Sequence, residues 1–239
     1  MELTDAIQDY LKEIYKLEAA GRRVTTSALA EQLGVSAPSV TSMLKKLATL
    51  DLVEHERYRG ARLTRKGERV ALEVIRHHRL LEQYLSQTLG LPIHALHDEA
   101  DRLEHALSEE LEAHIDRSLG YPTRDPHGDP IPGPDLKLVV TEATPLSALE
   151  PGAKAVISRV PDGDGELLRY LDGLQLTPGN PVEMREVAPF DGPLTVRVNG
   201  SDHAISRELA AKIAVTSRGR SASPPSGSRA RARRAPGAA

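Results

Sequence analysis

Apolar residues recur at helical spacing from the first positions of the chain: Leu3, Ile7, Tyr10, Leu11, Ile14 and Leu17 mark one face of a helix, with Asp9 off that stripe. After GRRV, Thr26 to Leu33 reads as a short helix that packs Ala28, Leu29, Ala30 and Leu33, with Thr26 or Ser27 as its cap. Gly34 permits a sharp turn. Ser36 then caps a third helix that accepts Pro38 in its first turn and buries Val40, Met43, Leu44 and Leu47. The exposed face of that helix carries Pro38, Ser39, Thr41, Ser42, Lys45 and Lys46, so the segment has the pattern of a helix-turn-helix. Residues 52–64, LVEHERYRGARLT, predict two short strands around a turn near Arg59 and Gly60, a basic wing beside the helix.

Helical periodicity returns from Arg76 to His105, in two helices broken near Gly90, Leu91 and Pro92. His78 and Glu82 stand at i and i+4 on the first. His97, Asp101, Glu104 and His105 fall at i, i+4, i+7 and i+8 on the second, beside an apolar stripe of Leu96, Ala100, Leu103, Leu107 and Leu111. Such a stripe is either a solvated face with i,i+4 pairs or a place where imidazole and carboxylate converge on a divalent cation. For one histidine the first reading is the better; for three histidines and three carboxylates in register the second is. His77, His94 and His114 lie off the stripe, and Asp98 and Glu99 read as first-turn charges favoured by the helix dipole. Leu80, Leu81, Tyr84, Leu85, Leu89 and Leu91 give the first helix more apolar surface than one partner covers, which predicts a homodimer.

The alternation then changes character. YPTRDPHGDPIPGPD, 121–135, is dense in Pro and Gly and predicts an extended connector, or a strap lying ordered across the preceding helices. Short apolar runs follow at Lys154–Val160, Pro181–Val187 and Leu194–Val198, with a short helix at Leu167–Leu171, and together they predict a small β-barrel. From Ser217 onward the chain has six arginines, no acid and little apolar bulk, and is expected to be a disordered basic tail.

Composition sharpens this picture in two places. The chain has no cysteine, which removes disulfides, thiolate nucleophiles and cysteine-zinc sites at once. No stretch approaches the roughly 20 apolar residues of a membrane span, and the N-terminus lacks the form of a signal peptide, so a cytoplasmic location without membrane association is expected. The net charge of −3 is segregated: +2 over residues 1–70, −7 over 71–141, −4 over 142–217 and +6 over 218–239. Positive charge at the helix-turn-helix suits double-stranded DNA. Candidate DNA contacts are Ser36, Pro38, Ser39, Thr41, Ser42 and Lys45 on the helix and Arg57, Arg59 and Arg62 in the wing. The short side chains among them favour thymine-methyl contacts, water bridges and shape readout. Two such units on a dimer predict a pseudopalindromic operator with half-sites roughly 34 Å apart.

The succession YLKEIYKLE, GVSAPSVTSMLKKL, the wing, HHRLLEQYL, LHDEADRLEHALSEEL and DPHGDPIPG resembles the diphtheria toxin repressor family of metal-dependent transcriptional regulators, in its manganese transport regulator branch. The resemblance implies a mainly α fold: a winged helix-turn-helix over 1–72, a helical metal-binding and dimerisation domain with its connector over 73–141, a small SH3-like domain over 142–217, and the tail over 218–239. It implies a primary metal site of Asp9, Asp101, Glu104 and His105. An ancillary site of His78, Glu82 and His97 is implied beside it, to which Glu166 of the SH3-like domain is the positional match for a further ligand. Iron-responsive members carry Met and Cys where this chain has Asp9 and Asp101, and hard oxygen ligands suit Mn2+, with Fe2+ the alternative and other divalent ions able to substitute. Lys12 departs from the manganese branch, where a glutamate ligand stands. The function implied is a metal-activated DNA-binding regulator, a repressor of metal-homeostasis genes and not an enzyme. The competing readings are a metal-binding enzyme on a helical scaffold and a winged-helix regulator of an organic ligand; H-E-x-x-H, G-x-S-x-G and P-loop motifs are all absent from the sequence.

Overall fold

A computed structural model describes residues 3–56, 60–139 and 141–217. Arg57 and Arg59, and the tail from 218, lie outside the described residues.

The head is built as the periodicity predicts. Helix α1 (Asp5–Ala19) buries Ile7, Tyr10, Leu11, Ile14 and Leu17. Helices α2 (Thr26–Leu33) and α3 (Ala37–Thr49) follow, joined by Gly34 at φ 63°. The cap of α2 is Thr25, whose hydroxyl accepts from the Ala28 amide, and neither Thr26 nor Ser27 takes that place. Ser36 caps α3 as expected by accepting from the Ser39 amide. Strands β1 (Val53–Glu56) and β2 (Gly60–Leu63) pair antiparallel as the wing.

Helix α4 (Arg65–Leu89) begins directly after the wing, capped by the Thr64 hydroxyl, and ends at Gly90 in the left-handed region. A Cβ on Gly67 would stand 2.0 Å from the Leu52 carbonyl oxygen, so the first turn of α4 sits flush against the head. Residues 72 and 73, where the head was expected to end, lie inside this helix, which at 1.5 Å per residue runs roughly 37 Å from wing to scaffold.

The second helix of the middle segment is not continuous. Helix α5 (Leu96–Leu103) gives way to a tight turn at Glu104–Ala106, and α6 (Glu109–Ser118) restarts on a Ser108 cap. The change of direction leaves Leu96, Ala100 and Leu107 buried but Leu103 and Leu111 exposed, so the expected apolar stripe is split. The middle core is correspondingly small: Leu80, Leu81, Ala100, Leu107, Ile115 and Ile131.

The connector is an ordered strap. Arg124 pairs with Pro130, Asp125 Oδ1 accepts from the amides of His127 and Asp129, and the carbonyls of Pro130 and Pro132 accept from Arg79 and Arg76 of α4.

The third domain is an antiparallel six-stranded sheet ordered β3 (Thr144–Pro145), β8 (Ala214–Ser217), β4 (Lys154–Arg159), β5 (Pro181–Val187), β6 (Leu194–Val198) and β7 (Ser201–Ile205). Helices α7 (Gly165–Gly173) and α8 (Arg207–Lys212) accompany it, and a separate aliphatic core fills it.

Candidate metal centre and DNA-binding face

Polar side chains from α1, α4, α5 and the turn after α5 meet at one junction. Asp9, off the apolar face of α1, points to the scaffold, and the turn after α5 swings Glu104 and His105 toward α1 and α4. His105 Nε2 lies 2.9 Å from Asp9 Oδ1 and 3.5 Å from Glu104 Oε1, while its Nδ1 lies 2.6 Å from Gln8 Oε1. Asp9, Glu104 and His105 form one trio with ligand atoms within 4.8 Å of one another.

Next to it, Lys12 of α1 is buried and donates to Glu104 Oε1 at 2.6 Å and to Asp101 Oδ1 at 2.9 Å. His78 joins from α4, with Nδ1 2.6 Å from Glu104 Oε2 and Nε2 3.1 Å from Glu82 Oε1. His78, His97 and Asp101 form a second trio. Burial opposes the imidazolium of His78, but Asp101, Glu104 and Glu82 outweigh it and hold its pKa well above 6.5. Burial likewise opposes the Asp101 and Glu104 carboxylates, and His78 and Lys12 outweigh it, keeping both acids below their usual range.

A third trio was not anticipated. Glu82 of α4 faces Asp125 and His127 of the connector, and all three are buried. Here partners are short. Glu82 Oε2, Asp125 Oδ2 and both ring nitrogens of His127 are buried without a hydrogen bond, as is His97 Nδ1 nearby. His127 Nδ1 stands 3.5 Å from Glu82 Oε2, and Arg79 Nε stands 3.6 Å from Asp125 Oδ2. Burial, then Glu82 and Asp129, push Asp125 up to about 7. Burial lowers His127, but Glu82, Asp125 and Asp162 outweigh it and bring it to about 8. Unpaired, buried oxygen and nitrogen atoms converging on one point are what a cation would satisfy. The third domain closes over the trio. Val160 donates its amide to the His127 carbonyl at 2.9 Å, and a Cβ on Gly128 would stand 2.0 Å from the Ser158 carbonyl oxygen.

The structure therefore regroups the expected ligands. Asp101 sits with His78 and His97, and Glu82 sits with Asp125 and His127. Glu166 joins none of the three trios: it is an exposed first-turn residue of α7, whose amide donates to the capping Asp164. A carboxylate there complements the helix N-terminus, so its place is explained without a ligand. His77, set aside by its register, is structural: its ring bridges the Glu104 carbonyl and Glu112. Beside it Arg76, also buried, binds Glu112 and Asp116 and locks α4 to α6.

On the head, Ser36 at the cap of α3 and Pro38, Ser39, Ser42 and Lys45 along it are exposed, Thr41 is half-buried with its hydroxyl donated to the Ala37 carbonyl, and Arg62 is exposed on β2. No helix among the described residues is long and apolar enough to cross a membrane.

Comparison with known proteins finds three domain models along the chain. Residues 2–61 match the iron dependent repressor N-terminal DNA binding domain, 64–133 the iron dependent repressor metal binding and dimerisation domain, and 144–217 the FeoA domain. The iron-dependent repressor IdeR of Mycobacterium tuberculosis is 34% identical over 229 residues, 90% of this chain and 98% of that protein. The diphtheria toxin repressor of Corynebacterium efficiens is 39% identical over 132 residues, 55% of this chain and 57% of that protein. Among solved structures, a manganese-dependent transcriptional repressor in complex with manganese superposes with a TM-score of 0.82 at 38% identity, covering 88% of this chain and 99% of that one. The manganese regulator SloR superposes at 0.73 with 32% identity, covering 91% and 100%. With its head, its ligand-bearing scaffold and its FeoA domain in that order, the chain belongs to the diphtheria toxin repressor family of metal-dependent transcriptional repressors.

Proposed function

We propose that this chain is a cytoplasmic, non-catalytic repressor of metal-homeostasis genes that binds a pseudopalindromic operator as a homodimer when Mn2+, or alternatively Fe2+, is available. The observation that carries the reading is the 2.9 Å approach of Asp9, from the DNA-binding head, to His105, from the scaffold. Asp9, Glu104 and His105 would hold one ion. Glu82, Asp125 and His127 would hold another, with His78, His97 and Asp101 between the two. A bound divalent ion supplies positive charge shared by side chains of both segments, and it shifts the ensemble by its differential affinity for the arrangement that fits DNA. The chain's own residues do the rest. Asp9 reports the position of α1, Arg76 and His77 fix the scaffold that carries Glu104, and the exposed face of α3 with Arg62 meets the groove and its phosphates. Leu89, Leu111 and Tyr121, exposed on the scaffold, are apolar surface available to a second copy. A cavity of about 780 Å³ beside the wing is lined by Glu18, Arg22, Arg23, Glu54 and Arg62 with Val24 and Ala61, a charged lining unlike the apolar pocket an organic effector would use.

The test is operator affinity with and without Mn2+ for wild type and Asp9→Ala, measured by fluorescence anisotropy at fixed salt. Metal is expected to tighten wild-type binding by 10-fold or more, on the order of common allosteric couplings, and to leave Asp9→Ala near its metal-free affinity. Full Mn2+ activation of Asp9→Ala would remove the tether.

A further inference from the structure

Lys12 is the one buried lysine among the described residues, and its position is unusual for a chain whose neighbouring carboxylates are read as ligands. Its ammonium takes Glu104 Oε1 at 2.6 Å, the same oxygen that lies 3.5 Å from His105 Nε2 and faces the trio with Asp9. Its second bond, 2.9 Å to Asp101 Oδ1, reaches the trio with His78 and His97. The other oxygen of Glu104 is held by His78 at 2.6 Å. Both oxygens of Glu104 are thus already matched to positive or proton-donating groups, one of them on the head. This geometry has two effects. In the absence of metal the ammonium links α1 to α5 and to the turn after it, the connection otherwise assigned to an ion. In its presence an ion drawn to Glu104 must share an oxygen with a fixed like charge or displace it, and a displaced ammonium would be left buried and unpaired.

We propose that Lys12 is a resident cation that ties the DNA-binding head to the scaffold before metal arrives and competes with metal for Glu104 and Asp101, so that it sets the metal threshold of the switch. The proposal rests on the reading of Asp9, Glu104 and His105 as ligands, and it adds that part of the charge at this junction is supplied by the chain.

Lys12→Met, close in shape and neutral, and Lys12→Arg, which keeps the charge, separate charge from packing. In chelator the full-length Lys12→Met protein is expected to melt below wild type. By calorimetry it should bind Mn2+ at least 10-fold more tightly, and its melting temperature should rise more on Mn2+ saturation than that of wild type. Lys12→Arg should stay within about 3-fold of wild type in Mn2+ affinity. These opposite signs are not produced by a merely structural loss, which would weaken both folding and metal binding. Unchanged or weaker Mn2+ binding by Lys12→Met, or equal tightening by Lys12→Arg, overturns the proposal. If Lys12→Met folds only with Mn2+ present, the gain on metal addition is still the quantity compared, and a gain no larger than that of wild type overturns it as well. A wild-type protein that gives no Mn2+ heat would instead remove the metal reading, while the chelator arm would still report whether Lys12 ties the two segments by its charge.

Discussion

The junction between head and scaffold and the junction between scaffold and connector are built from the same kinds of side chain, yet one is saturated and the other is not. At the first, Glu104 and Asp101 are matched by Lys12 and His78, and Asp9 by His105, all at hydrogen-bonding distance. At the second, Glu82, Asp125 and His127 leave four buried polar atoms without a bond. Burial of a charged group costs several kcal/mol unless it is paired. The first junction meets that cost internally and can stand without an ion, whereas the second moves its protons instead, with Asp125 up to about 7 and His127 up to about 8. The first junction is therefore held by its own hydrogen bonds, while the second keeps buried atoms whose bonding capacity is unmet.

Glu82 is the residue that belongs to both sides, within 3.1 Å of His78 and 3.5 Å of His127, and fully buried. Glu82→Ala should give the largest effect, a loss of about 3 kcal/mol in the metal-free protein by urea denaturation, because it takes the nearest buried counter-charge from His127 and one of the carboxylates around His78. A loss under about 1 kcal/mol would mean that the two junctions are energetically separate.

The next comparison uses one chemical change in two places. Asp125→Asn keeps an oxygen for the amides of His127 and Asp129 and removes a charge that is already poorly supported, so metal-free stability at pH 8 should be unchanged or higher by about 1 kcal/mol. Asp101→Asn weakens bonds from Lys12 and His78 and should cost about 1 kcal/mol, a modest figure because Asp101 is partly exposed. Equal effects from the two substitutions in chelator-treated denaturation would erase the contrast.

The remaining comparison is in pH. Asp125 and His127 both bind protons more tightly in the folded chain than in the unfolded one, so folding takes up protons at this trio. The stabilisation from Asp125 is complete below about 3.8 and lost as pH rises through about 7; that from His127 is complete below about 6.5 and lost through about 8. The metal-free melting temperature should accordingly fall between pH 6 and 9. The gain on adding Mn2+ should grow over the same interval, since the ion replaces protons. His78 titrates in the same direction at the other junction, so the profile should flatten partly, not wholly, in Asp125→Asn.

How much of this could be read from the amino acids follows the kind of signal each element carries. The helices of the head and α4 are announced by apolar spacing and by Ser36, Gly34 and Gly90, and the structure keeps them. The ligand stripe on the second helix failed as geometry. Periodicity cannot register the turn at Glu104–Ala106, which sends Glu104 toward Lys12 and His105 toward Asp9 in place of one shared face. The meeting of Asp9 with His105 was legible only through resemblance, because no local pattern relates α1 to a turn so far along the chain. Asp125 and His127 escaped because connector residues have no period from which to infer direction; the cue was the density of ligand-type side chains in DPHGD. Position along the chain alone points to Glu166, and the start of α7 turns it to solvent. Strand β7 was also missed, although Asn199 and Gly200, at φ 48° and 88°, mark a tight two-residue hairpin turn.

One consequence follows from the contact between Gly128 and the edge of β4. The FeoA domain packs directly on the connector beside the trio and leaves no room for a methyl group at Gly128. A fragment ending near residue 139 would let water reach His127 and Asp125, solvate the atoms that now lack bonds, and ease both side chains back toward ordinary acidity. The C-terminal domain thus acts as a lid over the trio, and the unmet bonding capacity of its buried atoms depends on that cover.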